Sequence, residues 1–334
     1  MSHLAINPTT GQTIAAYEEL STKAMRAVIT DAHKAYLHWR KVPVAARAVL
    51  LRTTARILRE RAEPLAELMA REMGKPLVQG RGEVEKCAWV CEYYAEQAEG
   101  FLAPEMVATD ATRSYVAYRP LGLILAIMPW NFPLWQVFRF AAPALVGGNG
   151  ALLKHAPNVP GCALAIEKVF RDAGIPEALF RTLLISVPQT RTVIRHRHVA
   201  AVTLTGSPAA GKAVAKEAGA RLKKCVLELG GSDPYLILED ADLDLAVEAC
   251  ATSRLLNSGQ SCIAAKRLLV VEPLRAEFER RLVERMRRVR MGDPLTPGVE
   301  LGPQARADLR DGLHDQVQRS GAKGARVLLG GTVP

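Results

Sequence analysis

Apolar residues recur at helical spacing through the first hundred positions. Met25, Ile29, Ala32 and Tyr36 fall on one face of a segment that Ser21 or Thr22 can cap. A second helical stretch starts near Val44 and is interrupted at Pro64. Gly74 follows it, where a left-handed cap would sit, and Pro76 suits the first turn of a third helix. This whole region reads as helices. Positions 113–119 then alternate like a strand.

From residue 121 the pattern changes. Short continuous apolar runs at 123–128, 151–153, 182–185, 200–204, 225–229 and 235–238 alternate with helical segments such as 160–171 and 242–255. Apolar strands separated by helices predict a parallel sheet buried on both faces. Such sheets bind ligands beyond the carboxyl ends of their strands, so chemistry is expected in the turns after those runs. There is no internal repeat and no low-complexity segment.

Composition narrows the class. With 334 residues, 49% hydrophobic and 23% charged, the chain has the balance of a globular protein of about two domains. No signal peptide is read at the start, and no apolar run is long enough to span a bilayer. Six scattered cysteines suggest reduced thiols and a cytoplasmic protein. No metal site is expected: Cys87 and Cys91 lie one helical turn apart with no histidine near them in sequence. The net charge of +10 comes partly from Arg280, Arg281, Arg285, Arg287, Arg288 and Arg290. Without a finger pattern, an aromatic RNA-binding strand or a basic tail, these read as a solvated helix face and not as a nucleic-acid surface.

Four turns carry candidate chemistry. Pro129-Trp130-Asn131-Phe132-Pro133 follows an apolar strand. Its Asn is either a simple turn former or a rigid amide donor to an oxyanion. Gly206 and Ser207 follow the strand at 200–204 and open a helix, as an ordinary cap does and as a pyrophosphate cradle does. Glu228 ends a strand before Leu229-Gly230-Gly231; burial there would raise its pKa towards that of a general base, and the alternative is a solvated strand-end carboxylate. Finally, Gly259-Gln260-Ser261-Cys262 presents a cysteine in a polar loop, a nucleophile if the thiol is activated and an inert thiol otherwise.

Taken together, PWNFP, LLKHAP, TGSPAAG, LELGG and GQSC, in this order, resemble the aldehyde dehydrogenase superfamily over essentially the whole chain, nearest its succinate-semialdehyde branch. The resemblance implies an α/β fold: a Rossmann-like cofactor domain at 1–227, with an oligomerisation hairpin around 106–119, and a second α/β catalytic domain at 228–334. It implies Cys262 as nucleophile, Glu228 as the base that activates the deacylating water, and Asn131 as oxyanion donor together with the Cys262 N–H. Trp130, Asn131, Lys154, Pro157, Gly206, Ser207 and Leu229 would contact NADP or NAD. Arg139 and Ser261 would contact the substrate, with Arg139 taken as a buried guanidinium that pairs with the carboxylate of succinate semialdehyde; the alternative is a helix arginine that reaches the surface or pairs with an internal acid. At Pro157 many NAD-preferring relatives carry a Glu; without it, NADP is expected to be accepted. No membrane or nucleic-acid partner is implied, and the full-length family forms homo-oligomers.

The resemblance also implies a continuation that is not found. The Glu-(Ile or Val)-Phe-Gly-Pro motif whose glutamate holds the nicotinamide ribose does not occur before Pro334. A truncated or split frame is therefore expected, with an incomplete catalytic domain and an open sheet edge. Two other readings stay open: a dehydrogenase for another aldehyde, and an inactive remnant that binds only nucleotide or a partner chain.

Overall fold

The computed structural model describes residues 2–333. It divides into two compact units, one formed by 1–5, 15–68 and 81–229, the other by 6–14, 69–80 and 230–334. Besides its long final segment from 230, the second unit takes in two segments from the first third of the chain.

The chain opens with a two-stranded sheet of β1 (Ser2–Ile6) and β2 (Thr13–Glu18). The all-helical expectation for this region missed it. Both strands are largely exposed, so their apolar positions carry little of the alternation that marks a half-buried strand. Four helices follow: α1 (Thr22–Trp39), α2 (Val44–Glu60), α3 (Ala62–Met73) and α4 (Leu77–Phe101). Ser21 caps α1 by accepting from the Ala24 N–H, and Met25, Ile29, Ala32 and Tyr36 are buried as the spacing predicts. The break between α2 and α3 falls at Arg61, not at Pro64, which sits in the first turn of α3 where its missing N–H is harmless. Gly74 adopts the left-handed φ of +79°. Of the stretch 113–119, only Tyr115–Val116 (β4) forms a strand; it pairs antiparallel with β3 (Glu105–Met106).

The core of the first unit is a five-stranded parallel sheet. Its strands are β5 (Leu123–Met128), β6 (Gly150–His155), β7 (Phe180–Thr182), β8 (Val199–Thr205) and β9 (Lys224–Glu228), in the order β7-β6-β5-β8-β9. The helices α5 (Trp135–Val146), α6 (Pro160–Asp172), α7 (Val187–Arg195) and α8 (Pro208–Gly219) connect them. Phe138 on α5 and Phe170 on α6 are buried at a ring-centroid distance of 4.9 Å, and the Phe180 ring lies tilted against Phe170 at 4.6 Å. The predicted strand at 182–185 is displaced to Phe180–Thr182. The edge strand β9 alternates between exposed and partly buried positions, so burial on both faces does not extend to it. The run at 235–238 does not join this sheet.

In the second unit that run forms β10 (Pro234–Ile237), which pairs in parallel with β11 (Arg267–Val270). Between them lie α9 (Leu243–Leu255), capped by Asp242, and a 3-10 turn, Leu256–Gly259. The helices α10 (Glu272–Arg287) and α11 (Ala307–Ala322) follow. Phe278 on α10 packs with Ile237, Val247 and Cys250 in a small core. The arginine-rich face of α10 is ion-paired: Arg281 meets Asp244 at 2.6 Å, Arg285 meets Glu248 at 2.7 Å and Arg280 meets Glu277 at 2.8 Å. Exposed pairs of this kind contribute roughly 0–1 kcal/mol each. Among the described residues, no helix is long and apolar enough to cross a membrane.

Candidate active site

The order β7-β6-β5-β8-β9 contains a reversal. From β5 the chain goes outward through β6 to β7, then returns to lay β8 on the other side of β5. Ligands bind parallel sheets at such a reversal, beyond the carboxyl ends of the strands. The register aligns those ends: Met128 pairs with His155, and Thr205 pairs with Glu228. In the first unit, the turn bearing Trp130 and Asn131, the segment bearing Lys154 and Pro157, the turn bearing Gly206 and Ser207, and Glu228 with Leu229 thus all lie along one edge of one sheet.

Each group there has a physical setting. Lys154, next to last in β6, is partly buried, and burial lowers its pKa, opposed by the carboxylate of Glu19. Pro157 is exposed two residues past the strand. Ser207 is the N-cap of α8 and accepts from the Ala210 N–H at 3.2 Å, so its hydroxyl closes the helix end. Gly206 donates its N–H to the Glu228 carbonyl at 2.9 Å. At Gly211 an added Cβ would lie 2.7 Å from the Leu229 side chain, which would have to move aside. These are features a dinucleotide fits: a helix N-terminus, glycines that allow close approach, and a cation one strand away.

Two charged side chains bear on the expectations. Of the two settings left open for Glu228, the structure has the solvated strand-end carboxylate: its side chain is 55% exposed, because it ends the sheet's edge strand. Arg139 was expected to be a buried guanidinium awaiting a substrate carboxylate. Its side chain is 39% exposed, lies 3.9 Å from Glu228, and donates to the Thr205 hydroxyl at 3.4 Å. An exposed, distant pair of this kind holds weakly, so the guanidinium stays available to another anion. Thr205 was not singled out from the sequence; only the fold brings it to Arg139.

In the second unit, Cys262 is partly buried and follows an unusual piece of backbone. Asn257, Ser258 and Gly259 are successively left-handed, at φ of +57°, +54° and +75°. Runs of this conformation are costly for L residues and recur at functional loops. Bonds to residues distant in the chain hold the run. The Asn257 N–H donates to the Gln79 amide oxygen at 2.7 Å, and Ser258 Oγ accepts from the Gly302 N–H at 2.9 Å. Lys266 Nζ then donates to the carbonyls of Gly231 and Cys262 at 2.6 and 2.7 Å. Ser261 is buried. All six cysteines are free thiols, and burial raises the pKa of Cys91, Cys225 and Cys250. Among the described residues, no cluster of three or more His, Cys, Asp or Glu side chains could hold a metal ion.

A reversed parallel sheet with a glycine-and-serine turn at its switch point defines a Rossmann-like α/β protein. The model of the aldehyde dehydrogenase family matches residues 2–334, and the chain belongs to that family. It is 47% identical over 331 residues to a probable succinate-semialdehyde dehydrogenase (NADP+) of Synechocystis, covering 99% of this chain and 73% of the relative. It is likewise 47% identical over 328 residues to a succinate semialdehyde dehydrogenase (NAD(P)+) of Escherichia coli, covering 98% and 71%. Among solved structures, succinic semialdehyde dehydrogenase from Streptococcus pyogenes in complex with NADP+ superposes with a TM-score of 0.97 at 35% identity, over 99% of this chain and 73% of that one.

Proposed function

We propose that this chain oxidises succinate semialdehyde to succinate with NADP or NAD. The observation that carries the reading is the row of strand-end groups in the first unit: Asn131, Lys154, Ser207 and Glu228 along the carboxyl edge at the sheet's reversal. The substrate follows from the two relatives above, and Arg139 supplies a cation suited to a carboxylate.

In this reading the Cys262 thiolate attacks the aldehyde carbonyl, and the new oxyanion is met by the Asn131 amide and the Cys262 N–H. A bound nicotinamide would supply the hydride acceptor that turns the adduct into a thioester. Glu228 then takes a proton from the water that attacks the thioester and releases the acid. The exposure of Glu228 suits a base that must exchange protons with solvent. Lys154 would hold the adenosine ribose of the dinucleotide, and Ser207 would contact its pyrophosphate. Pro157 offers no carboxylate to repel a 2′-phosphate, which favours acceptance of NADP. The first unit is thus the cofactor domain, the second carries the nucleophile, and the hairpin at 106–119 is the segment assigned to assembly.

The test is nicotinamide reduction at 340 nm with succinate semialdehyde. Cys262→Ser should abolish it while leaving NADP binding, read by tryptophan quenching, within about twofold. Arg139→Ala should raise KM for succinate semialdehyde far more than for butanal. Equal effects on both aldehydes would remove Arg139 from the substrate, and full activity in Cys262→Ser would end the mechanism.

A further inference from the structure

The turn that carries Asn131 is short, and both of its ends are fixed by buried polar side chains from elsewhere in the first unit. Glu83 on α4 is 5% exposed. Its Oε1 accepts the N–H groups of Leu134 at 2.8 Å and Trp135 at 2.9 Å. These are among the first N–H groups of α5, which have no partner inside the helix, and a carboxylate there also faces the positive end of the helix dipole.

His155 acts on the same turn from the sheet side. It is the last residue of β6, 5% exposed, and the register partner of Met128, where β5 ends and the turn begins. Its Nε2 lies 2.9 Å from the Pro133 carbonyl, where the turn finishes. The Ala156 N–H donates to Nδ1 at 2.8 Å, so Nδ1 is the acceptor and Nε2 carries the proton that reaches Pro133. The Pro133 carbonyl is open to this bond because the Val137 N–H turns instead to Leu134. Burial keeps the imidazole neutral, and so in this donor form.

We propose that His155 and Glu83 are positioning residues that preset the Asn131 amide for the oxyanion. The proposal rests on Asn131 having the role given above. An oxyanion donor acts only if it is already in place when charge develops, and displacement by a fraction of an ångström forfeits much of its effect. His155 touches both ends of the turn, and Glu83 fixes the helix that follows, so the intervening residues have little room to drift.

The experiment compares His155→Leu, which has no donor, with His155→Gln, whose amide can reach the same carbonyl, and with Glu83→Gln, which weakens the two N–H bonds. Amide hydrogen exchange of the peptide spanning 129–138 is measured beside kcat, KM and NADP affinity. His155→Leu should speed exchange in that peptide about tenfold while peptides of β8 and α8 keep their rates. It should lower kcat by about tenfold with KM and NADP affinity within about twofold, and His155→Gln should restore most of both losses. Unchanged exchange at 129–138 in both His155→Leu and Glu83→Gln would overturn the proposal. So would a kcat loss that His155→Gln fails to rescue. If the unsubstituted chain oxidises no aldehyde, the functional reading fails, and the exchange measurement still decides whether these two side chains hold the turn. If His155→Leu does not fold, Glu83→Gln alone decides by the same readouts.

Discussion

The turn around Asn131 and the turn before Cys262 are fixed in different ways. The first belongs to a well-packed unit, and its backbone is held from outside by Glu83 and His155, both buried, with Phe138 and Leu134 sealed beneath it. The second adds to its outside bonds, from Gln79 and Gly302, an unusual conformation of its own: three successive left-handed residues. The sheets of the two units differ in the same sense. Leu123 and Leu125 of β5 are fully buried, whereas Leu236 of β10 and Leu269 of β11 are 64% and 52% exposed. An apolar hollow of about 630 Å³ beside β10, β11 and α10 is lined by Leu236, Leu238, Leu268, Leu269, Phe278 and Leu328. The lesson is that a turn over a dense core can be positioned by tertiary hydrogen bonds alone, while the turn over the thin core combines such bonds with a left-handed backbone.

The largest expected effect is on the packing beneath the first turn. Phe138→Ala should destabilise the protein by about 3–5 kcal/mol, because it opens a cavity against Phe170. Chemical denaturation checks it, and a loss under about 1 kcal/mol would show that this core is looser than the burial implies. Acid is the next lever. Burial lowers the folded-state pKa of His155 from 6.5 to about 4. The folded state then binds fewer protons than the unfolded one in this window. Stability is complete above pH 6.5 and falls as pH drops towards 4. The full shift corresponds to about 3 kcal/mol. Burial lowers the pKa of His3, His33, His196 and His198 in the same direction. His155→Gln should therefore flatten the acid side of a Tm-against-pH curve without abolishing its slope, and an unchanged curve would contradict the neutral donor.

Smaller effects probe the second mode of holding a turn. Gly259→Ala should cost about 2 kcal/mol, since a Cβ at φ of +75° would lie 2.6 Å from the Arg254 guanidinium. Cys262 alkylation by iodoacetamide should change rate with it, and an unaltered rate would mean the thiol does not depend on that backbone. The smallest effect has the opposite sign. Leu222 is left-handed at φ of +53° and 97% exposed, just past the end of α8. Leu222→Gly should stabilise by about 1 kcal/mol, because it relieves strain and loses almost no burial. Thermal unfolding checks it.

The sequence by itself determined the elements whose signals are local. Ser21 before the spacing Met25, Ile29, Ala32, Tyr36 fixes α1, and Gly74 fixes the end of α3, because capping and periodicity act within a few residues. The order of the motifs fixed the family, and the apolar runs fixed the parallel strands. Tertiary structure decided the rest. Nothing near β1 or β2 announces a strand, since both are largely exposed and are read only by pairing with each other. Whether Glu228 is buried depends on its strand lying at the sheet's edge, and Arg139 meets Glu228 and Thr205 only because α5 lies over that sheet. Glu83 reaches the start of α5 from 51 residues earlier, and His155 reaches Pro133 across 22. Such bonds leave no local trace, because the sequence records each residue's preferences while the partner is supplied by the packing of the whole unit.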